Sequence, residues 1–186
     1  YSMPPKFGAI KRVNVVQDPE SFKRNLKMYI IAEAVDGSLT TATETLKNNL
    51  KMWVNSGRMI NDSIDILDGK IINLGIDFVV IGDRDPNINK FDILNNAIKD
   101  LKDLYLQKEN LGEPFSITKI YKKLQKARGV VDVVSVDVFQ KKGTGYSNIS
   151  VIVEDLKSSD GLYLNTPSNA VFEVKDVNND IRGSIR

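Results

Sequence analysis

Asp83, Asp85, Asn87 and Asn89 stand at every second position of one short stretch, the alternation by which oxygen ligands converge on a calcium ion. The match goes no further. Ile88 occupies the position where such a loop turns on Gly, and Leu94 stands where a bidentate Glu would close the shell, so the ordinary chemistry of a strand-to-helix turn accounts for the stretch. Asp62, Asp65 and Asp68 are spaced by three. On a helix they would share a face, the like-charge arrangement that general acids exploit. Ile64, Ile66 and Leu67 interleave with them ahead of a strand, however, and solvated turn carboxylates paired with Arg58 or Lys70 fit the pattern better.

Gly143-Thr144-Gly145 follows a strand, as a phosphate-binding loop should. Ser147 to Val153 then alternate like a strand and open no helix whose N-terminus could hold the anion, which leaves a hairpin turn. Lys119, Lys122, Lys123 and Lys126 share one helical face, with Arg128 just beyond. That face reads as a solvated surface or as a docking patch, for an acidic partner or for a nucleic-acid backbone. No aromatic residue interleaves with these lysines to stack bases. With 26 Lys and Arg against 24 Asp and Glu, the net charge of +2 gives nucleic acid no further support.

The chain has neither Cys nor His, which removes disulfides, thiolate nucleophiles, the usual zinc ligands and every triad that needs an imidazole. Its 186 residues suffice to bury about 70% of the surface an unfolded chain exposes, and 41% hydrophobic with 27% charged residues is a globular balance. No run approaches the roughly 20 apolar residues of a membrane span, and no signal peptide opens the chain, so the cytoplasm or a virion assembled there is expected. Tyr1-Ser2 ahead of Met3 reads as part of a longer or tagged chain.

The elements that must position these residues follow from the apolar period. Ala9 to Val16, closed by Asp18-Pro19-Glu20-Ser21, predicts a strand, and Leu26, Met28, Ile30 and Ala32 keep period two in a second, half-buried one. From Thr43 the period changes: Leu46, Leu50, Trp53 and Val54 mark an amphipathic helix with Gly57 as its stop. An Asp-rich connection leads into Lys70 to Ile81, whose apolar face is Ile72, Leu74, Ile76, Phe78 and Val80 and whose other face is mixed, as expected of a central strand. Leu94, Ala97, Ile98, Leu101, Leu104 and Tyr105 mark a second helix, broken at Gly112-Glu113-Pro114. Ser116 can cap a third, with Ile117, Ile120, Tyr121 and Leu124 as its stripe and Gly129 as its stop. Val130 to Phe139 is a further strand whose phase slips between Val133 and Val134, the sign of a bulge.

This order predicts an α+β fold, with an antiparallel or mixed sheet carrying about three helices on one face, followed by a β and loop C-terminal extension. The expected domains are an α+β sandwich over residues 1–139 and a β-rich extension or arm over 140–186. Leu46, Leu50, Trp53, Ile72, Leu74, Ile76, Phe78, Leu94, Ile98, Leu101, Ile120 and Leu124 are the expected core, with Trp53 read as core from its spacing.

The run from Arg58-Met59-Ile60-Asn61-Asp62 through Ile76-Asp77-Phe78 resembles the baseplate wedge proteins of contractile-tailed phages of the T-even type, in the baseplate J-like group. The likeness begins near Pro4-Pro5-Lys6-Phe7-Gly8, continues through Leu50 to Phe78, and includes Gly129-Val130-Val131-Asp132-Val133-Val134. It resumes at Gly143-Thr144-Gly145-Tyr146-Ser147 and Phe172-Glu173-Val174-Lys175, and ends at Asp180-Ile181-Arg182-Gly183. Several separated matches in one order are more specific than any single motif. The chain is similar to the C-terminal part of such a protein.

The resemblance implies a structural subunit of the wedges around the tail hub, whose copies pair and whose pairs link into a ring that rearranges on tail contraction. It implies a homodimer with other wedge subunits as partners, in the tail baseplate of a virion. It implies neither enzymatic activity nor a cofactor or metal, neither small-molecule substrate nor membrane, and it names no catalytic residue. An α+β nucleic-acid-binding module using the Lys119 to Lys126 face is the alternative expectation.

Overall fold

The computed structural model describes residues 10–18, 25–35, 37–57, 63–83, 89–105 and 109–186. Among these, four helices and three sheets make the α+β fold that the apolar periods indicate. They fall into two units: residues up to Ile71 with Asn110–Glu113 and Pro167–Val171, and Ile72–Glu109 with Pro114–Thr166 and Phe172–Arg186.

In the first unit, β1 (Arg12–Gln17) and β2 (Asn25–Glu33) pair antiparallel, with Val13 opposite Ile30 and Val15 opposite Met28. The short β3 (Leu39–Thr40) folds back on the end of β2. Thr43 then opens α1 (Glu44–Gly57), its hydroxyl accepting from the Leu46 N–H at 3.3 Å as a helix cap does. The Asp-rich stretch expected as a connection is instead strand β4 (Ser63–Asp68), parallel to β2 with Ile64 beside Leu26 and Ile66 beside Met28. Parallel neighbours need a long crossover, and α1 supplies it.

Successive strand residues point to opposite faces, so Ile30 and Ile31, both wholly buried, serve two cores. Ile30 packs with Ala42, Leu50, Leu46, Trp53 and Ile66 on the helix side. Ile31 packs with Leu39, Leu111 and Val171 on the other. The expectation of a half-buried β2 is therefore corrected. Leu111 and Val171, far apart in sequence, cover the face that local alternation leaves open.

The second unit is organised by β5 (Lys70–Gly82). Ile72, Leu74, Ile76, Phe78 and Val80 are all buried, and Asn73 is buried on the opposite face. The helix α2 (Lys90–Tyr105) buries Ile93, Ala97, Leu101 and Tyr105 at four-residue intervals, with Leu94 and Ile98 half-buried beside them. The short β6 (Phe115–Ser116) leads directly into α3 (Ile117–Gln125), where the Ser116 hydroxyl caps the Lys119 N–H at 3.2 Å. The helix ends at Lys126, ahead of the expected Gly129. That glycine forms the turn into β7 at φ +85°, where a Cβ would also meet Ile93 at 2.8 Å.

β7 (Val130–Gln140) runs antiparallel to β5. Its register shifts where Val79 faces Ser135 but Val80 faces Val133, leaving Val134 as the extra residue of a bulge at the point where the sequence phase slips.

Beyond β7, Ile149, Val151 and Val153 alternate but form no strand. The Gln140 side chain bonds the Ile149 carbonyl and accepts the Val151 N–H at 3.0 Å, taking the place of a ladder partner, and a one-turn helix α4 (Val153–Leu156) follows. β8 (Tyr163–Leu164) pairs with β6, β9 (Ala170–Glu173) pairs with β5, and β10 (Ile181–Ile185) lies parallel to β5 with Gly183 beside Phe78. Tyr105 stacks on Phe115 at 5.5 Å, and Phe115 meets Phe172 edge-on at 6.0 Å.

A Cβ on Gly183 would fall 2.3 Å from the Phe78 ring and 2.8 Å from Leu94, and Phe78, only 2% exposed, has nowhere to retreat. Gly183→Ala is expected to cost about 1–3 kcal/mol. Urea unfolding should show a lower midpoint with an unchanged slope.

Candidate functional site

Asn73 is a polar residue in the middle of an apolar strand, 1% exposed. Its amide nitrogen donates to Glu173 Oε2 on β9 at 3.0 Å, its amide oxygen accepts the Ser147 N–H at 2.8 Å, and its backbone carbonyl accepts the Lys141 N–H at 2.9 Å. Glu173 is itself 2% exposed. One side chain thereby joins β5, β9 and the loop after β7.

Asp180, wholly buried, performs the same service one step further along the fold. Its carboxylate accepts the Tyr146 hydroxyl at 2.7 Å and the Asp176 N–H at 2.9 Å, and Lys141 Nζ lies 3.4 Å away. Its backbone carbonyl accepts the Ile76 N–H at 2.7 Å, which sets β10 beside β5. Lys175 donates to the Gly145 carbonyl, and Asp176 bonds Asn178 and Asn179 within its own turn. The Asn179 amide, then the Asn178 N–H, hold the Asp176 carboxyl below its usual range. The hydrogen bond to Asp180, then burial and the charges of Asp180 and Asp176, push the Tyr146 phenol up to about 12. At neutral pH that proton stays on Tyr146, and the hydrogen bond ties the loop after β7 to the residue that precedes β10.

Gly143-Thr144-Gly145 lies in this cluster as a turn at the end of β7, with the Tyr146 N–H bonded to the Gly143 carbonyl at 3.1 Å. The three C-terminal segments that carry the sequence resemblance, at 143–147, 172–175 and 180–183, all meet here. Sequence reasoning did not single out Asn73, Tyr146, Glu173 or Asp180 as a site. The available signal was an amide interrupting an apolar strand, which in a folded chain must find partners.

The other sequence candidates are dispersed. Asp65 and Asp68 lie three apart on a strand and so face opposite sides, while Asp62 and Arg58 lie outside the described residues. Asp68 pairs with Lys47 at 2.7 Å, and Lys47 also bonds Glu44 at 2.9 Å; both bonds, that to Asp68 foremost, raise the lysine's pKa. Of the calcium-like spacing, Asp85 and Asn87 fall outside the described residues and Asp83 and Asn89 within them. Among the described residues no three acidic side chains gather as a cation site. Of the expected core, Leu50, Ile72, Leu74, Ile76, Phe78, Leu101, Ile120 and Leu124 are buried, and Leu46, Trp53, Leu94 and Ile98 are half-buried.

On α3, Ile117, Ile120 and Leu124 face inward. Lys119, Lys122, Lys126 and Arg128 are exposed and Lys123 is half-buried, with Lys119 3.8 Å from Glu109. Two open grooves, of about 570 Å³ between 139–142 and 151–154 and about 430 Å³ between α1 and β4, mark the surfaces of the two units. Of their lysines, Lys142 bonds Ser150 at 2.7 Å, Lys27 pairs with Asp18 at 3.1 Å, and Lys47 and Lys141 are engaged as above. Among the described residues no helix is long and apolar enough to cross a membrane.

No protein-family model matches the chain, and no curated protein matches it. Among solved structures, it is similar to a chain in the cryo-EM structure of the anti-feeding prophage (AFP) baseplate, six-fold symmetrised, with a TM-score of 0.50 and 12% identity. The likeness covers 82% of this chain and 29% of that one, so the chain spans under a third of the length of the structure it matches. At this identity the shared property is the fold, which is that of part of a baseplate chain.

The folded pKa of Tyr146 lies above the ordinary 10.0, so the stability it contributes is complete below pH 10 and is lost as pH climbs to about 12. Tyr146→Phe should cost about 1–3 kcal/mol at neutral pH. Chemical denaturation across the alkaline range should show the gap between the two proteins closing between pH 10 and 12.

Proposed function

We propose that this chain is a structural, non-catalytic subunit of a contractile-tail-like baseplate. It corresponds to the C-terminal part of the T-even type wedge proteins that its sequence resembles, and it works within the tail of a phage-like particle. The observation that carries the reading is the fold likeness to an AFP baseplate chain over 82% of the sequence. It is supported by the convergence of the resembling segments on one buried polar cluster that fixes geometry. In this reading the chain pairs with a second copy and contacts other wedge subunits, and residues 140–186 extend the domain formed by 1–139.

Two of the edge strands, β7 and β1, differ in what they offer a partner. β7 ends its sheet, but its register shifts twice, with Val131 and Val134 as the extra, exposed residues, and Gln140 already engages a neighbouring segment. Bulges of this kind blunt an edge. Among the described residues β1 pairs only with β2, keeps an unbroken register, and leaves Val13 and Val15 47% and 43% exposed. Its edge is the better candidate for pairing between copies.

Light scattering behind a sizing column, over a tenfold range of concentration, is expected to give twice 20.8 kDa. Val15→Lys, a charge of the sort that guards strand edges, should shift the mass to a monomer without lowering the melting temperature. A strict monomer for the parent chain, with salt-dependent binding to an oligonucleotide, would replace this reading by the nucleic-acid module.

A further inference from the structure

Leu162 and Tyr163 are exposed to 50% and 39%, yet the turn that carries them is among the most heavily bonded in the fold. The Leu162 carbonyl accepts the N–H groups of Ile117 and Thr118 at 3.0 and 3.2 Å and the Thr118 hydroxyl at 3.3 Å. Its N–H donates to Asp160 at 3.1 Å, while the Tyr163 N–H meets the Ser158 hydroxyl at 3.2 Å and its carbonyl the Ser158 N–H at 2.9 Å. Gly161, at φ +69°, makes the reversal possible. The turn's contribution to the core is the wholly buried Leu164. Folding requires that anchor and gains nothing from holding two apolar side chains out in water.

This turn sits at the head of α3, with Tyr163 opposite the helix cap Ser116. Lys119 follows in the first turn of the helix, and Lys122 and Lys126 continue its exposed side for about 10 Å. An apolar pair on a rigid mount thus adjoins a row of cations. Preorganised apolar anchors beside complementary charge are the usual makings of a strong contact, because little ordering entropy is lost on binding.

We propose that the α3 lysine face, together with Leu162 and Tyr163, is a docking site for an acidic protein segment that carries an apolar side chain. The inference rests on the reading of the chain as an assembly subunit and names the chemistry of one neighbour. A nucleic-acid strand fits less well. One tyrosine offers a single base-stacking position, and a half-exposed leucine gains chiefly from apolar burial.

Fluorescence anisotropy with the full chain would compare three labelled probes: a short glutamate peptide with leucine anchors, the same peptide with glutamine for every glutamate, and a single-stranded oligonucleotide of equal length. The glutamate peptide is expected to bind most tightly. The triple variant Lys119→Glu, Lys122→Glu, Lys126→Glu and the single variant Leu162→Ser should each weaken it about tenfold or more, with melting temperatures showing that both fold. No binding of the glutamate peptide, equal binding of the glutamine peptide, tighter binding of the oligonucleotide, or unchanged affinity in either variant overturns the proposal. A change in the chain's own solution mass on lysine reversal also overturns it, since the occupant would then be a second copy. These readouts involve neither β1 nor the dimer, so failure here is distinguishable from failure of the assembly reading.

Discussion

Burying Asn73 inside β5 is the constraint from which the arrangement of the second unit follows. A carboxamide without partners in an apolar interior costs several kcal/mol, more than one apolar side chain returns on burial. Its donor and acceptor must both be met, and they are met by Glu173 and by the Ser147 N–H, from segments 100 and 74 residues away. Glu173 is itself buried and so equally dependent on the pairing. A register slip of β9, or a different path for the loop after β7, would leave a buried polar atom alone. Among the described residues no buried side-chain nitrogen or oxygen lacks a partner. Polar satisfaction of this kind selects one strand arrangement where apolar packing alone would tolerate several.

Asp180 extends the same logic to the end of the chain. β10 is short and polar in part, Ile181-Arg182-Gly183-Ser184-Ile185, and lies parallel to β5, a pairing that local propensity does little to specify. Two features place it. The Asp180 main chain bonds Ile76 while its side chain holds Tyr146, and Gly183 lets the strand lie against Phe78. The charge remains tolerable because Tyr146, the Asp176 N–H and Lys141 surround it.

These long-range dependences explain what could and could not be read from the sequence. The period of 3.6 in Leu46, Leu50 and Trp53 and the long alternation from Ile72 to Val80 are local signals, and α1 and β5 appear where they indicate. The bulge at Val134 was legible for the same reason. β4 was not, because Asp65 and Asp68 look like turn residues until a parallel neighbour, Lys27 to Ile30, stands beside them. Ile149 to Val153 failed in the opposite sense. Their alternation is that of a strand, but a glutamine side chain occupies the place of a ladder. The polar cluster is legible only in the one amide that sits where an apolar residue is due, because Tyr146 and Asp180 are 34 positions apart, Asn73 and Ser147 74, and Asn73 and Glu173 100.

The proposed assembly role is consistent with the same distribution of partners. The carboxylate with the deepest burial has its hydrogen-bonding capacity taken up by protein groups, and the tyrosine beside it keeps its proton until strongly alkaline pH. Acid–base chemistry needs a group poised to change state at working pH, and the Tyr146 phenol, pushed up to about 12, is not such a group. What the fold leaves outward is of another kind: an unbulged edge at β1, and a bonded turn that raises Leu162 and Tyr163 beside a lysine row. Such features do no work in an isolated chain. A second surface that covered them would bury apolar area and complete the open strand edge, which is what the proposed assembly role requires of them.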